Sequence, residues 1–305
     1  MIMKHIFIVN PKAGKYPDKI KGIQETLDAI ENFEYEIYGT KGKGDATIFV
    51  REYLENHPRE ETYRFYACGG DGTLHDTANG IFGFGNAELA CYACGSGNDF
   101  IKNFPNGMER FKDLKALIKG QSSEIDVLKV DDKVCLNILN LGFDGEVTFA
   151  MHKYRKIPGI KGPLAYNLAA VSSLLFKMTA PFKVTLDEEV VFDNKGLLCV
   201  VANGFCYGGG FYCAPRAKID DGLIDVCIVK KISRFKAAGL MKVYKAGKHL
   251  DNEKIKKYII YKNCKKATFE SPKQIAYAID GEIFRTNRLT INIIPKSLKF
   301  VIPQA

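Results

Sequence analysis

Tyr63-Arg-Phe-Tyr-Ala-Cys68 is followed directly by Gly69-Gly-Asp-Gly-Thr73, so a hydrophobic run ends in a glycine-rich turn. The run predicts a buried strand, and the residues after the turn predict a helix. Glycines let the backbone approach a ligand closely, and N–H groups at a helix N-terminus attract anions, so the turn is suited to phosphate. Asp71 would repel a bare phosphate unless a divalent cation or a hydroxyl group lies between them. An ordinary strand-to-helix turn is the alternative.

The same alternation of strand and helix extends over the first 125 or so residues. It predicts strands at 5–10, 35–40, 63–68 and 88–94, and helices at 19–30, 45–55, 73–82, 99–103 and 109–119. Repeated βα units predict a doubly wound α/β nucleotide-binding domain with a largely parallel sheet, over residues 1–125. Ligands bind such sheets at the C-terminal ends of the strands.

The pattern changes after residue 125, where short strand-like runs meet at polar turns. These runs are 127–130, 134–141, 182–186, 190–192, 197–202, 223–229, 258–261, 267–269, 275–279 and 289–294. Such a density of hairpin signals predicts an antiparallel β-sandwich domain over residues 126–295, with helical insertions at 161–177 and 233–249. A last strand, 298–302, lies between Pro295 and Pro303, and residues 296–305 are expected to return to the first domain.

The composition of the 305 residues is that of an ordinary globular protein. Nine cysteines, an odd number without a secretory signal, predict reduced thiols inside a cell. Cys91 and Cys94 form a CxxC, but the sequence has no second pair or neighbouring histidine, which favours core packing over zinc or redox chemistry. The longest uncharged apolar stretch, 163–176, is shorter than the roughly 20 residues that cross a bilayer. We therefore expect a cytoplasmic protein, soluble or peripherally bound to the membrane.

Positive charge is concentrated in one segment of the chain. Residues 230–266 contain thirteen lysines and arginines but only two acidic residues, Asp251 and Glu253, and so carry the whole surplus behind the formal net charge of +9. Such a segment attracts anionic partners, among them lipid headgroups. A solvated basic face without a partner is the alternative. Nothing in the segment is typical of a base-stacking platform, so no nucleic-acid partner is expected.

Two more turns of similar character end predicted strands of the first domain. Asn10-Pro-Lys-Ala-Gly14 follows the first strand, and Cys94-Gly-Ser-Gly-Asn-Asp99 follows the fourth. Each has a local explanation, because Asn-Pro starts turns and Ser, Asn and Asp cap helices. All three turns are predicted to lie at one edge of the sheet, where backbone donors and hydroxyl groups can converge on phosphates.

In the second half, Ala214-Pro-Arg-Ala-Lys-Ile-Asp-Asp-Gly-Leu-Ile-Asp225 and Ile279-Asp-Gly-Glu282 bring the number of motifs to five. Together the five resemble the soluble bacterial diacylglycerol-kinase-like lipid kinases, a family that also includes sphingosine and ceramide kinases. The resemblance extends from the first strand to the C-terminus. It implies ATP- and Mg²⁺-dependent transfer of the γ-phosphoryl group to a lipid hydroxyl. Diacylglycerol is the first expected acceptor, and its product, phosphatidic acid, would serve phospholipid biosynthesis.

The resemblance also implies roles for particular residues. ATP would be held by Asn10, Pro11, Lys12, Ala13, Gly14, Thr40, Gly69, Gly70, Asp71, Gly72, Thr73, Leu74, His75 and Ser96. A structural magnesium ion would be held by Asp221 and the carbonyl groups of Lys218 and Leu223, with a water-mediated link to Asp71. The roles of Asp99 and Asp126 stay open, since either could support this network or a second magnesium ion.

The family's catalytic pair matches Asp280 and Glu282, in which a carboxylate accepts the proton of the attacking hydroxyl, and Asp71 is the third expected catalytic residue. Without the resemblance, Asp280-Gly281 is a strong signal for a plain hairpin turn. The tripeptide is also common, because Asp144-Gly145-Glu146 repeats it.

Two alternatives remain at this point. An NAD kinase shares the Gly-Gly-Asp-Gly loop, but the Asn-Glu pair expected shortly after that loop is found only at Asn252-Glu253. A catalytically silent protein that binds membrane or nucleotide on the same fold is the other. Phosphatidylglycerol, undecaprenol, sphingosine and ceramide are further acceptors to consider, and a homodimer is left open.

Overall fold

The structure is a computed structural model that describes residues 3–14, 19–95, 97–154, 157, 168 and 179–304. The chain divides into two compact units. Unit 1 comprises Met1–Val127 and Ile294–Ala305, and unit 2 comprises Leu128–Ile293.

Unit 1 contains a parallel sheet. Its strands are β1 (Met3–Val9), β2 (Tyr35–Gly39), β3 (Thr62–Gly69) and β4 (Ala87–Ala93), together with residues 294–302 of the long strand β13 (Glu282–Ile302). Their order is β13–β4–β3–β1–β2, so the chain moves from β1 to one neighbour and then returns to the other side of β1. Where the strand order reverses in this way, a crevice forms at the C-terminal ends of the strands.

β3 and β4 are buried along nearly their whole length and β1 over its last four residues, as expected of a parallel sheet covered on both faces by the helices of unit 1. These helices are α1 (Lys19–Asp28), α2 (Asp45–Asn56), α3 (Asp71–Ile81), a 3-10 turn (Phe100–Asn103), α4 (Gly107–Arg110) and α5 (Leu114–Ile118). The single helical stretch predicted at 109–119 is wrong, because the chain leaves the helix after Arg110 and Asp113 caps a new one by accepting from Ala116 N at 3.0 Å.

Unit 2 is antiparallel. Its strands, besides residues 282–293 of β13, are β5 (Gln121–Val130, from Leu128 on), β6 (Lys133–Cys135), β7 (Ile138–Gly142), β8 (Ala180–Leu186), β9 (Glu189–Ala202), β10 (Ile224–Lys230), β11 (Ile259–Cys264) and β12 (Lys266–Ile279). The strands run in the order β11–β10–β9–β7–β12–β13, and β8 pairs with β9 and β12 at the ends that β7 leaves open.

Several predicted strand boundaries in the second half differ from the structure, among them the runs 190–192 and 197–202, which form one strand, β9. The predicted run 134–141 forms two strands, β6 and β7, which Leu136 and Asn137 separate. The runs 267–269 and 275–279 form one strand, β12, with an irregularity between Glu270 and Ile275. The last short strand is the end of β13, which continues past Pro295 while Lys296 takes φ 49° and donates its N–H to the buried Asp126 at 2.8 Å.

Among the described residues of unit 2, two hydrophobic clusters form the core. One joins side chains from β5 to β13, including Phe182, Phe269 and Ile291. The other lies against α6 (Phe143–Tyr154) and α7 (Arg234–Lys245), which contribute Val147, Ala237 and Tyr244 among other residues. A short helix, α8 (Glu253–Lys256), precedes β11.

The helix predicted at 233–249 is therefore present as α7, where the Ser233 side chain accepts from Lys236 N at 3.4 Å. The helical stretch predicted at 161–177 lies outside the described residues, apart from Leu168. Within the part of the chain that the structure describes, no helix combines the length and the apolar character needed to cross a membrane.

Candidate active site

The three predicted turns of unit 1 meet at one edge of its sheet. β1, β3 and β4 are parallel, so their C-terminal ends point the same way. Asn10 N donates to Cys68 O at 3.0 Å, and Cys94 N and Gly95 N both donate to Gly69 O, at 3.1 and 2.9 Å. The main chains of the three turns are therefore bonded to their neighbours where each strand ends.

Two glycines are needed for this close approach. A Cβ atom on Gly95 would overlap the Cα atom of Gly70, and one on Gly69 would overlap the Thr73 side chain. Thr73 also accepts from the Asn10 side-chain amide, with 3.3 Å between Nδ2 and Oγ1. A side chain at either glycine would separate turns that the hydrogen bonds hold together.

Asp71 lies in the first turn of α3 and is fixed from the segment after β4. Its Oδ1 accepts from Asp99 N at 2.6 Å, and a Cβ atom on Gly97 would overlap its Oδ2. Asp99, which is 8% exposed, forms an ion pair with Lys102. Asp71 and Asp99 bring two carboxylates to this edge, and carboxylate oxygens suit a divalent cation that accompanies a phosphate.

The other residues predicted to bind ATP lie around this edge. Lys12 N donates to the Asn10 side chain at 3.0 Å, Gly14 takes φ 66°, and Thr40 N donates to Val9 O at 2.8 Å. Leu74 and His75 are buried, so only their main chain, in the first turn of α3, is placed to meet a nucleotide. Ser96 lies outside the described residues.

The Asp280–Glu282 motif of unit 2 is a hairpin turn, as the plain interpretation of Asp-Gly predicted. Ile279 pairs with Glu282, and Asp280 and Gly281 take φ 47° and 90°, the positive values of a type I′ turn. Glu282 is half-buried at the start of β13. The second copy of the tripeptide, Asp144-Gly145-Glu146, lies in helix α6 instead.

The Asp280 carboxylate accepts hydrogen bonds from the segment between β6 and β7. Leu136 N donates to Oδ2 at 2.8 Å, while Asn137 N and Ile138 N donate to Oδ1 at 2.9 and 3.2 Å. The Cys135 thiol also reaches Oδ1, at 3.2 Å. Because these N–H groups face a carboxylate, Leu136 and Asn137 leave the sheet, which explains why the predicted strand 134–141 is split.

The predicted magnesium residues lie in a loop of unit 2 that precedes β10. Asp221 is exposed, its Oδ1 accepts from Leu223 N at 3.1 Å, and Gly222 between them takes φ 72°. A carboxylate and the carbonyl groups of Lys218 and Leu223 form an all-oxygen donor set, which fits magnesium. Among the described residues no cluster of three or more His, Cys, Asp or Glu side chains would hold a metal by itself. The predicted link to Asp71 stays a prediction.

Sequence reasoning missed a buried carboxylate near this loop. Asp225 is 1% exposed and accepts from the Tyr261 hydroxyl at 2.6 Å. Burial raises the pKa of Asp225, and the negative charge of Asp221 acts in the same direction. Its place at the end of the Ala214–Asp225 motif was the available signal. Lys102, three residues after Asp99, was missed as well and had the i,i+3 spacing of a helical ion pair as its signal.

None of the nine cysteines forms a disulfide in the part of the chain that the structure describes, and all except Cys94 are buried. Burial raises the pKa of the Cys68 and Cys91 thiols well above their usual range, and the Cys94 thiol and, for Cys91, the Asp71 carboxylate act in the same direction. Protonated, buried thiols are poor nucleophiles, which agrees with core packing of this part of the CxxC.

Family models match both parts of the chain. Residues 4–130 match the diacylglycerol kinase catalytic domain, and residues 137–302 match the YegS C-terminal NAD kinase beta sandwich-like domain. Relatives named diacylglycerol kinase include one from Staphylococcus carnosus strain TM300, 27% identical over 90% of this chain and 87% of its own length. Another, from Staphylococcus aureus strain MRSA252, is 28% identical over 90% of this chain and 84% of its own.

Solved structures give the same result for the fold. A putative diacylglycerol kinase from Bacillus anthracis str. Sterne is 25% identical, with a TM-score of 0.72 over 98% of this chain and 96% of its own. An NAD kinase from Archaeoglobus fulgidus shares only the fold, at 12% identity and a TM-score of 0.50 over 99% of this chain and 94% of its own. The strand-end turns, the hairpin motif and the two family matches lead to one conclusion: this chain belongs to the diacylglycerol-kinase-like family of lipid kinases.

Proposed function

We propose that this protein transfers the γ-phosphoryl group of ATP to the hydroxyl group of a membrane lipid, and that diacylglycerol is its acceptor. The observation that carries the proposal is the convergence of three glycine-bearing strand ends in unit 1 around the fixed carboxylate of Asp71. Membership of a lipid kinase family supplies the reaction class. The relatives' printed name, diacylglycerol kinase, favours this acceptor over other lipid alcohols.

In this proposal the two units have different tasks. Backbone N–H groups at the Asn10, Gly69 and Gly95 turns would bind the phosphates of ATP, and the N-terminal turn of α3 would add its partial positive charge. Phosphoryl transfer depends mainly on alignment of donor and acceptor and on neutralisation of charge. The Asp280–Glu282 hairpin of unit 2 would act on the acceptor side of the reaction.

Asp221, with the carbonyl groups of Lys218 and Leu223, would hold magnesium, and Asp71 and Asp99 would face a cation that accompanies the nucleotide. When bound, magnesium neutralises charge on phosphate oxygens. The residues themselves supply fixed oxygen atoms, because Asp71 is held by Asp99 N and Asp221 by Leu223 N. These carboxylate oxygens are therefore already held in place before the nucleotide binds.

The acceptor is tested by presenting single lipids in mixed micelles with γ-labelled ATP and Mg²⁺. Diacylglycerol, phosphatidylglycerol, undecaprenol, sphingosine and ceramide are assayed separately, and each labelled product is identified by mass. We expect phosphatidic acid from diacylglycerol at a rate at least about tenfold above any other product, the discrimination that about 1.4 kcal/mol provides. A faster product from another lipid would replace diacylglycerol as the acceptor and leave the lipid kinase assignment intact.

We also propose that the basic segment 230–266 brings the protein to an anionic membrane at the cytoplasmic face. Lys236, Lys242, Lys245 and Lys248 of this segment are exposed. Two lysine ammonium groups, those of Lys236 and Lys257, lie 5.5 and 5.4 Å from the ring centre of Tyr258. Cations next to an aromatic ring are a combination that suits the headgroup region of a bilayer.

Cosedimentation with vesicles tests this part of the proposal. Binding should rise with the fraction of anionic lipid and fall with salt, because both effects follow from screened charge attraction. Lys242→Gln with Lys248→Gln should weaken binding about 30-fold, since each lysine near an anionic surface contributes about 1 kcal/mol. The matched control, Lys21→Gln with Lys41→Gln, removes the same charge from exposed positions of unit 1. Equal weakening by both pairs would show that the segment has no special part.

A further inference from the structure

The carboxylate of Asp280 is expected to accept a proton, but its oxygens already accept several hydrogen bonds from the protein. Three backbone N–H groups and one thiol, all from residues 135–138, donate to its two oxygens at 2.8–3.2 Å. Oδ1 alone receives three of these four bonds. A donor that already occupies a carboxylate oxygen has to be displaced before that oxygen can accept a proton from a substrate. A general base needs the opposite, an oxygen that can approach the substrate hydroxyl and bind its proton.

The main chain of Asp280 is fixed to the same segment. Its N–H donates to Ile138 O at 3.1 Å, while Ile138 N donates to its side chain, so the two residues are bonded in both directions. The residue is held at φ 47° in a two-residue turn, beside the β7–β12 pairing of Leu139 with Ile279. Movement of the carboxylate toward a substrate would break several of these bonds at once.

The segment held by Asp280 in turn holds the loop after β9. Asn203 N and Gly204 N donate to Asn137 O at 2.9 and 3.0 Å, and the Asn203 side chain donates to Leu136 O at 2.7 Å. The Asn137 side chain donates to Cys206 O at 2.8 Å. One carboxylate thus fixes residues 135–138, and these residues fix 203–206, the start of the stretch that leads to Gly208, Gly209 and Gly210.

We propose that Asp280 is a positioning residue rather than the proton acceptor of the reaction. Its carboxylate holds the 135–138 segment, and through it the loop 203–206, in the arrangement that transfer requires. The proposal rests on the lipid kinase function proposed above, and it changes the role that the family resemblance implies for this residue. Phosphoryl transfer through a loose transition state does not require Asp280 to accept the proton, because positioning and charge neutralisation provide most of the catalysis.

Two substitutions separate the roles. Asp280→Asn keeps a side-chain oxygen for the Asn137 and Ile138 amides, and Asn tolerates a positive φ. Asp280→Gly removes every side-chain acceptor without the strain that Ala would meet at φ 47°. A positioning role predicts transfer by the Asn variant at least about tenfold faster than by the Gly variant, because it retains hydrogen bonds to buried donors. A proton acceptor cannot be replaced by an amide, so that role predicts two equally inactive variants.

Amide hydrogen exchange and the pH dependence of kcat/KM distinguish a positioning residue from a proton acceptor. Protection of residues 136–138 should fall from wild type to Asn to Gly, in the same order as the transfer rate. The acidic limb of kcat/KM should remain in the Asn variant at the pH of the wild-type limb. Equal loss of transfer in both variants, with protection retained in the Asn variant, overturns the proposal, and so does loss of the acidic limb.

Asp187→Asn is the matched control. Asp187 also lies in a hairpin turn of unit 2 at positive φ, 44°, and its Oδ1 accepts from Lys265 N and Lys266 N at 3.0 and 2.9 Å. We expect it to lower stability without changing transfer. If the wild-type protein phosphorylates no lipid, the proposed function fails on its own, and the exchange measurement still decides whether Asp280 fixes the segment: unchanged protection in the Gly variant overturns it.

Discussion

Gly97 sets the distance between the segment after β4 and the carboxylate of Asp71. A methyl group at this position would overlap Asp71 Oδ2, so the carboxylate or the segment has to move. We expect Gly97→Ala to lower transfer by about 100-fold, the loss typical of a misplacement of about 1 Å, while the fold is retained. Initial rates and calorimetric ATP binding measure the effect.

Gly85→Ala is the control for this substitution, because a Cβ atom at Gly85 meets nothing within 4 Å and Gly85 has an ordinary φ. It should leave both quantities unchanged. Wild-type activity of Gly97→Ala would show that the position of Asp71 does not matter for transfer.

His5 gives unit 1 a stability that depends on pH. Burial lowers the pKa of His5 to about 4, and the charge of Arg64 acts in the same direction. The His5 imidazole therefore binds a proton near pH 6.5 in the unfolded chain but only at lower pH in the folded protein. This stability is complete above pH 6.5 and is lost as the pH falls toward 4, by about 1–3 kcal/mol.

The measurement is urea unfolding of wild type and His5→Gln at pH 7.5 and pH 5. Gln can keep a bond to the Tyr66 hydroxyl, which lies 2.8 Å from His5 Nδ1, but it does not titrate. The drop in unfolding free energy between the two pH values should be smaller in the variant. His249, whose pKa burial also lowers, contributes equally to both proteins and cancels. An identical drop would contradict the account of His5.

At the scale of elements, one tripeptide has two different structures. Asp280-Gly281-Glu282 is a hairpin turn, whereas Asp144-Gly145-Glu146 lies in α6, where a Cβ atom on Gly145 would overlap the carbonyl oxygen of Ala276 in β12. We expect Gly145→Ala to destabilise the protein by about 1–3 kcal/mol, because a backbone oxygen in a paired strand cannot move aside. Chemical unfolding gives the value.

Gly239 of α7 is the comparison, since a Cβ atom there meets nothing within 4 Å. Gly239→Ala should stabilise by about 0.5–1 kcal/mol, the gain in helix propensity. Destabilisation of equal size by both substitutions would show that the close approach of α6 to β12 is not the cause.

Local sequence patterns predicted most elements of unit 1 to within a residue or two, because burial on both faces gives uninterrupted hydrophobic runs. They failed where a distant residue decides the structure. The break between β6 and β7 depends on Asp280, which is 143 residues from Asn137 in the chain. The close pairing of Asp71 with Asp99 N was equally invisible, although both residues had been singled out, since it depends on the packing of two strand ends.

For the whole molecule, the sequence predicted an α/β part followed by a β-rich part, and this fold class is confirmed by the family matches and by the related structures. The family could be recognised from the order of five motifs along the chain. The acceptor could not be predicted in the same way, because a lipid hydroxyl is recognised by the shape of a binding surface, which no motif of a few residues encodes.

The most direct test of the account is the destination of the phosphoryl group. Wild-type protein is incubated with γ-labelled ATP and Mg²⁺ in the presence of both lipid micelles containing diacylglycerol and aqueous NAD, and the label is measured after phase separation. We expect label in the lipid phase, in a product with the mass of a phosphorylated lipid. Label transferred to NAD, or none in the lipid phase at any lipid composition, would contradict it.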